Sequence, residues 1–126
     1  MRLALLAALG GAVGSVARFL AVSAAASVLG TDFPWGTFGV NVVGSFAIGA
    51  IMAAIAFHSG GSNELRVLLV TGFLGGFTTF SAFSFELMQL IERKAYAPAL
   101  AYASGSVIMS LAAVFLGFAA IRAVTS

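Results

Sequence analysis

Cysteine is absent from the 126-residue chain, which excludes a disulfide framework, a thiolate metal site and a cysteine nucleophile. Charge is scarce too: six Lys and Arg and four Asp and Glu make up 8% of the residues, against 61% hydrophobic ones. A soluble domain of this size could not cover its surface with so little polar material. A single histidine, His58, ends an apolar segment, where an interfacial polar residue belongs. No paired carboxylates and no Ser/His/Asp arrangement lie within the apolar segments, so acid–base and nucleophilic catalysis have no groups to use. The small excess of basic residues says nothing about nucleic acid on a chain with so little exterior.

What the chain does have is length of apolar run. Leu3–Leu29 (interrupted by Arg18), Trp35–Phe57, Val67–Ile91 (interrupted by Glu86) and Ala95–Ile121 each reach or exceed the roughly 20 residues that cross about 30 Å of hydrocarbon as a helix. The expectation is an all-α membrane protein: one integral membrane domain over residues 1–126 with four transmembrane helices. "MR", "LALLAALG" and "SVA" have the outline of a signal peptide, but cleavage would discard the glycines and Arg18 and leave three spans. The connectors "GTDFP", "HSGGSNELR" and "ERKAY" are short. Pro34 and Trp35 suit a helix start at an interface, with Asp32 or Thr31 as candidate caps.

Orientation in a membrane follows the Lys and Arg content of the loops. Arg2, Arg66 and Arg122 fall on one side; Arg18, Arg93 and Lys94 fall on the other, with Arg18 some way into its helix. Three against three gives no preferred direction, so two oppositely inserted copies can pair about a twofold axis in the membrane plane. Discounting Arg18 as intramembrane leaves a bias too small to fix topology.

Helices in lipid adhere through small residues that let backbones approach. Gly10, Gly14 and Arg18 recur at every fourth position, as do Thr37, Asn41, Ser45 and Gly49, and Tyr102, Ser106 and Ser110. The glycines alone read as packing. Asn41 reads either as a hydrogen bond between helices or as part of a polar path, because a carboxamide in hydrocarbon must find partners or water. The tyrosine and two serines offer a row of hydroxyl donors, unless each bonds its own helix.

The stretch "TGFLGGFTTFSAFSFE", residues 71–86, concentrates this chemistry. Gly72, Gly75 and Gly76 followed by Thr78 and Thr79 make a poor continuous helix, so the third helix is expected to break near the membrane centre. Irregular backbone at that depth is tolerated where it is buried in protein or lines a cavity, and carbonyls converging there suit a small hard cation such as Na⁺. Phe80 and Phe83 share a face, and the positive edges of aromatic rings favour an anion without the full charge of Lys or Arg. Hydroxyls, an amide and ring edges together point to passage of a small anion. Composition alone does not name it.

"GGAVGSVARF" (10–19), "PWGTFGVNVVGSF" (34–46), the 71–86 stretch and the Tyr102, Ser106, Ser110 ladder, in this order, resemble the CrcB/Fluc family of fluoride channels over essentially the whole chain. The resemblance implies an antiparallel homodimer of dual-topology subunits in the cell's inner (plasma) membrane. It implies two fluoride pathways between the copies and a structural Na⁺ on the twofold axis. Carried over by position, Gly75 and Thr78 would give the Na⁺ their backbone carbonyls. Phe80 and Phe83 would hold fluoride at ring edges, and Asn41 would donate to it. Tyr102, Ser106, Ser110, Ser81 and Thr79 would line the path; Arg18 would sit toward a vestibule and Glu86 near a pore mouth. The family usually has "TTFSTFS", where this chain has Ala82 at the fifth position and so lacks a hydroxyl there; Ser81 or Ser84 must compensate or conductance falls. Phe19 replaces a frequent tyrosine or tryptophan.

Two other readings stay open. A proton-coupled exporter similar to the small multidrug-resistance family has four helices and dual topology, but it needs a deep protonatable carboxylate. Glu86, late in the third segment, is the one candidate, and it could equally pair with Arg93 at the helix end. An assembly subunit without transport would not need a hydroxyl-rich break.

Overall fold

A computed structural model describes residues 1–58 and 62–125; Ser59, Gly60 and Gly61 of the second connector, and Ser126, lie outside the described residues. Four helical spans follow one another, at Arg2–Leu29, Trp35–Phe57, Asn63–Glu92 and Tyr96–Thr125, all long and apolar enough to cross a membrane. The chain is a multi-pass membrane protein. Apolar side chains surround α1 (Arg2–Leu29), α2 (Trp35–Phe57) and α6 (Tyr96–Thr125), as a helix facing lipid requires. Leu9, Val13, Phe19, Leu20 and Phe115 are among the large hydrophobics on the exposed surface.

Each boundary has a local cause. Gly30 stops α1 at φ 82°, a left-handed conformation open to glycine, and its N–H closes on the Ala26 carbonyl. Pro34 occupies the position before α2, whose start has no side-chain cap. Asp32 and Thr31 therefore do not cap it; a tight turn from the Trp35 N–H to the Phe33 carbonyl, 2.8 Å, sets the entry instead. Between α5 (Phe80–Glu92) and α6, Lys94 adopts φ 60°, and the Lys94 and Ala95 N–H groups return to the Ile91 and Leu90 carbonyls.

The third span is built from pieces. After the short α3 (Asn63–Arg66) come a π-helical stretch, Val67–Leu74, a single helical turn, α4 (Gly75–Phe77), then Thr78 and Thr79 in extended conformation, then α5. The break falls midway along the span, but on the two threonines. Gly72, Gly75 and Gly76 stay helical, and at Gly72 and Gly76 glycine serves close approach. A Cβ on Gly76 would lie 2.6 Å from the Gly11 carbonyl of α1, and one on Gly72 3.0 Å from the Ala7 carbonyl.

Backbone contact through glycine recurs in the other pairing. Gly49 of α2 faces the Val114 carbonyl of α6, and Gly117 of α6 faces the Phe46 carbonyl, so two small residues let α2 and α6 lie against each other. The first half of the third span rests on α1, while α5 leans on α6 through Phe83, Leu90, Ala99 and Tyr102.

Candidate anion pathway

The break exposes peptide groups that a continuous helix would pair, and side chains from other helices take them. Thr79 donates its N–H to Asn41 Oδ1 at 2.8 Å and accepts from Asn41 Nδ2 at its carbonyl, 3.1 Å. One carboxamide on α2 therefore holds both polar groups of the residue at the break. The Thr79 hydroxyl caps α5 by accepting from the Ala82 N–H, 3.1 Å. It also lies 3.3 Å from Ser81 Oγ. On the preceding side, both the N–H and the hydroxyl of Thr78 reach the Leu74 carbonyl, 2.9 Å each. Arg18 Nε donates to the Gly76 carbonyl, also at 2.9 Å. Since the Thr79 N–H goes to Asn41, it does not close on the Gly75 carbonyl four residues back.

Alongside the break runs an open cavity of about 410 Å³, lined in part by Asn41, Gly75, Thr78, Thr79, Phe80 and Phe83. Ser106 and Ser110 of α6 and Gly44 and Ser45 of α2 complete its polar wall. Ser106 is 7% exposed, and its hydroxyl is buried with no hydrogen-bond partner among the described residues. A buried hydroxyl without a partner costs of order 1–3 kcal/mol. The rings of Phe80 and Phe83 are 5.5 Å apart and tilted by 42°. Phe80 is 78% exposed, whereas Phe83 is 8% exposed and packs on Tyr102 at 4.9 Å.

Tyr102, Ser81, Arg18 and Glu86 do not line this cavity. Tyr102 is fully buried and donates its hydroxyl to Glu86 Oε1, 3.1 Å; Thr37, also buried, donates to Glu86 Oε2, 3.0 Å. Glu86 is thus not paired with Arg93, which donates instead to the Asp32 carbonyl at 2.9 Å. The carboxylate faces a second cavity of about 370 Å³ that Asp32, Thr37, Gln89 and Arg93 also line. Phe83, Tyr102 and the Thr37–Glu86 pair stand between the two cavities. Thr37 belongs to the Thr37, Asn41, Ser45 register visible in the sequence, but its carboxylate partner 49 residues away is not. Ser84 bonds the Phe80 carbonyl of its own helix, 3.0 Å.

Among the described residues no three His, Asp or Glu side chains gather as a metal cluster. At the break the Gly75 carbonyl lacks its helical donor, and Gly75 and Thr78 border the open cavity.

The family model described as CrcB-like protein, Camphor Resistance (CrcB), matches residues 5–118. The chain belongs to the CrcB family. Curated relatives extend over nearly all of it. A Chelativorans sp. (strain BNC1) protein is 54% identical over 113 residues, covering 90% of each chain. One from Rhizobium etli (strain ATCC 51251) is 51% identical over 120 residues, 95% of this chain and 96% of its own. One from Caulobacter vibrioides (strain NA1000) is 48% identical over 121 residues, 95% of each. Each of the three is named Fluoride-specific ion channel FluC.

Proposed function

We propose that this CrcB-family chain is a passive, fluoride-selective channel that lets the cell's inner (plasma) membrane potential expel fluoride. The observation that carries this reading is that relatives sharing about half the residues over nine-tenths or more of both chains bear that name. The geometry supports it, because the cavity beside the break offers a small anion what it loses on leaving water. The unpartnered Ser106 hydroxyl, Ser110 and the remaining Asn41 N–H are donors, and Phe80 and Phe83 supply rings with positive edges. Among the described residues no Lys or Arg borders this cavity, so an anion is held by dipoles and is free to leave.

The functional unit is an antiparallel homodimer. The cavity is open along one side and carries Asn41, Thr79 and Ser110 among largely apolar walls, so in a single copy these polar groups would lie beside lipid tails; a second copy that closes the groove gives two pathways, each built from both subunits. The balanced loop charges permit the opposite insertion this requires. Across the twofold axis, the Gly75 and Thr78 carbonyls of both copies would hold a structural Na⁺, which would cross-link the two breaks. Fluoride enters cells as HF from acidic surroundings and dissociates inside; the channel gives the trapped anion a way out.

An exporter that exchanges protons needs its carboxylate in the substrate cavity. Glu86 borders the other cavity, with both oxygens already accepting hydroxyls, which favours the channel. The deciding experiment is efflux from liposomes holding the purified protein, read by a fluoride electrode after valinomycin. Fast, valinomycin-dependent fluoride release with chloride retained is expected. Failure of the folded protein to release fluoride would overturn the reading.

A further inference from the structure

One face of α1 is committed to the third span. Gly10 and Gly14 let the backbones meet, and the residue one turn beyond Gly14 on that face is Arg18. Its Nε–H donates to the Gly76 carbonyl. Gly76 itself is pressed on α1: a Cβ there would come within 2.6 Å of the Gly11 carbonyl and 3.1 Å of the Ser15 nitrogen. The arginine therefore meets its carbonyl over a gap fixed by backbone packing on both sides.

The place of this bond gives it meaning. The last carbonyls of a helix have no N–H ahead of them, and this helical half ends in mid-span, where water is not available to replace them. Leu74 is served twice by Thr78. Gly76 is served by Arg18, whose charge also meets the negative end of the helix dipole. Gly75 borders the open cavity, whereas Gly76 does not. We infer that Arg18 is a positioning residue. It caps the broken end of the first half of the third span through Gly76, and so fixes which carbonyl at the break is turned to the cavity. Attraction of anions by its free charge is secondary.

Two substitutions separate the donor from the charge. Gln places an amide nitrogen at the same number of bonds from Cα as arginine Nε, but without charge; Lys keeps the charge and puts a methylene there, with its ammonium one bond farther out. Arg18→Met removes both. Capping predicts that Arg18→Gln retains more fluoride flux than Arg18→Lys, with Lys and Met slowed about tenfold or more, as loss of a charge-assisted hydrogen bond allows. The flux readout rests on the channel reading above. Amide hydrogen exchange at residues 78–80 does not: it should quicken in the Lys and Met variants and stay close to the parent in Gln, with α2 and α6 protected throughout. The reverse order, with Lys conducting well and Gln losing flux in a way that salt abolishes in the parent, would overturn the inference. So would unchanged exchange at the break in all three. If the parent carries no fluoride, the channel reading fails while the exchange pattern still decides the cap.

Discussion

At the scale of the residue, the two phenylalanines of one face differ in surroundings. Phe83 is wedged against Tyr102 and Phe80 lies open at the cavity edge. Replacing either by Ile keeps bulk and removes the ring edge. Phe80→Ile and Phe83→Ile should each slow fluoride efflux at least about tenfold in liposomes while size-exclusion still shows a dimer. Only Phe83→Ile should lower thermal stability, by about 1 kcal/mol for the lost aromatic contact. Asn41 carries a double duty that makes its substitution harsher. Asn41→Asp keeps an acceptor for the Thr79 N–H, but it sets a carboxylate against the Thr79 carbonyl and a negative charge on the proposed anion path. Flux should fall by more than about a hundredfold near neutral pH, since like charge in a low-dielectric site costs several kcal/mol. Full flux in Asn41→Asp liposomes would remove Asn41 from the path. That Asn41 needed a partner was legible from a carboxamide in an apolar run; that the partner is the backbone of Thr79 was not, because the two meet only after two helices pack.

At the scale of the element, the four spans were readable from run length alone, since lipid leaves a backbone little choice but helix. The composition of the third span was less so. "VLLVTGFL" carries no residue signal that separates π-helical from α-helical turns, and its wider coil lies where α1 presses on it. The break was legible as a region, from glycines followed by Thr78 and Thr79; which of these residues take the extended backbone was not, because glycine weakens a helix, yet Gly72 and Gly76 are needed for contact and the β-branched threonines leave the helix. Contact of this kind predicts a sharp response at Gly14, where a Cβ would collide with the Phe73 carbonyl. Gly14→Ala should destabilise the fold by about 1–3 kcal/mol through overpacking. Gly39→Ala, whose Cβ would meet nothing within 4 Å, should be close to neutral. Thermal unfolding in detergent compares the two, and equal melting would contradict backbone-to-backbone packing of α1.

At the scale of the whole molecule, the groove and the charge count make one argument. A single copy leaves the half-buried Asn41, Thr79 and Ser110 along a cavity with an open side that hydrocarbon would penalise. With the break midway along its span, a partner of either orientation sets break beside break; what distinguishes the proposed antiparallel one is that opposite ends of the two grooves lie side by side, so the loop charges decide between them. Three basic residues on each side allow both orientations to be made from one sequence. The arrangement should therefore be vulnerable to charge alone, at positions far from any cavity wall that an anion touches. Glu64→Lys with Val124→Lys raises one side to five basic residues against three, and Thr31→Lys with Glu92→Lys raises the other equally. Each pair of substitutions should force most copies into one orientation. Cells expressing either variant alone should then lose most of their fluoride tolerance, and co-expression of both should restore it, because each supplies the orientation the other lacks. Cysteine-free sequence makes the orientation itself measurable, by labelling a cysteine introduced at Val124 or at Thr31 from outside the cell. Full tolerance with one variant expressed alone and labelled from one side only would show that the working assembly does not require opposite insertion.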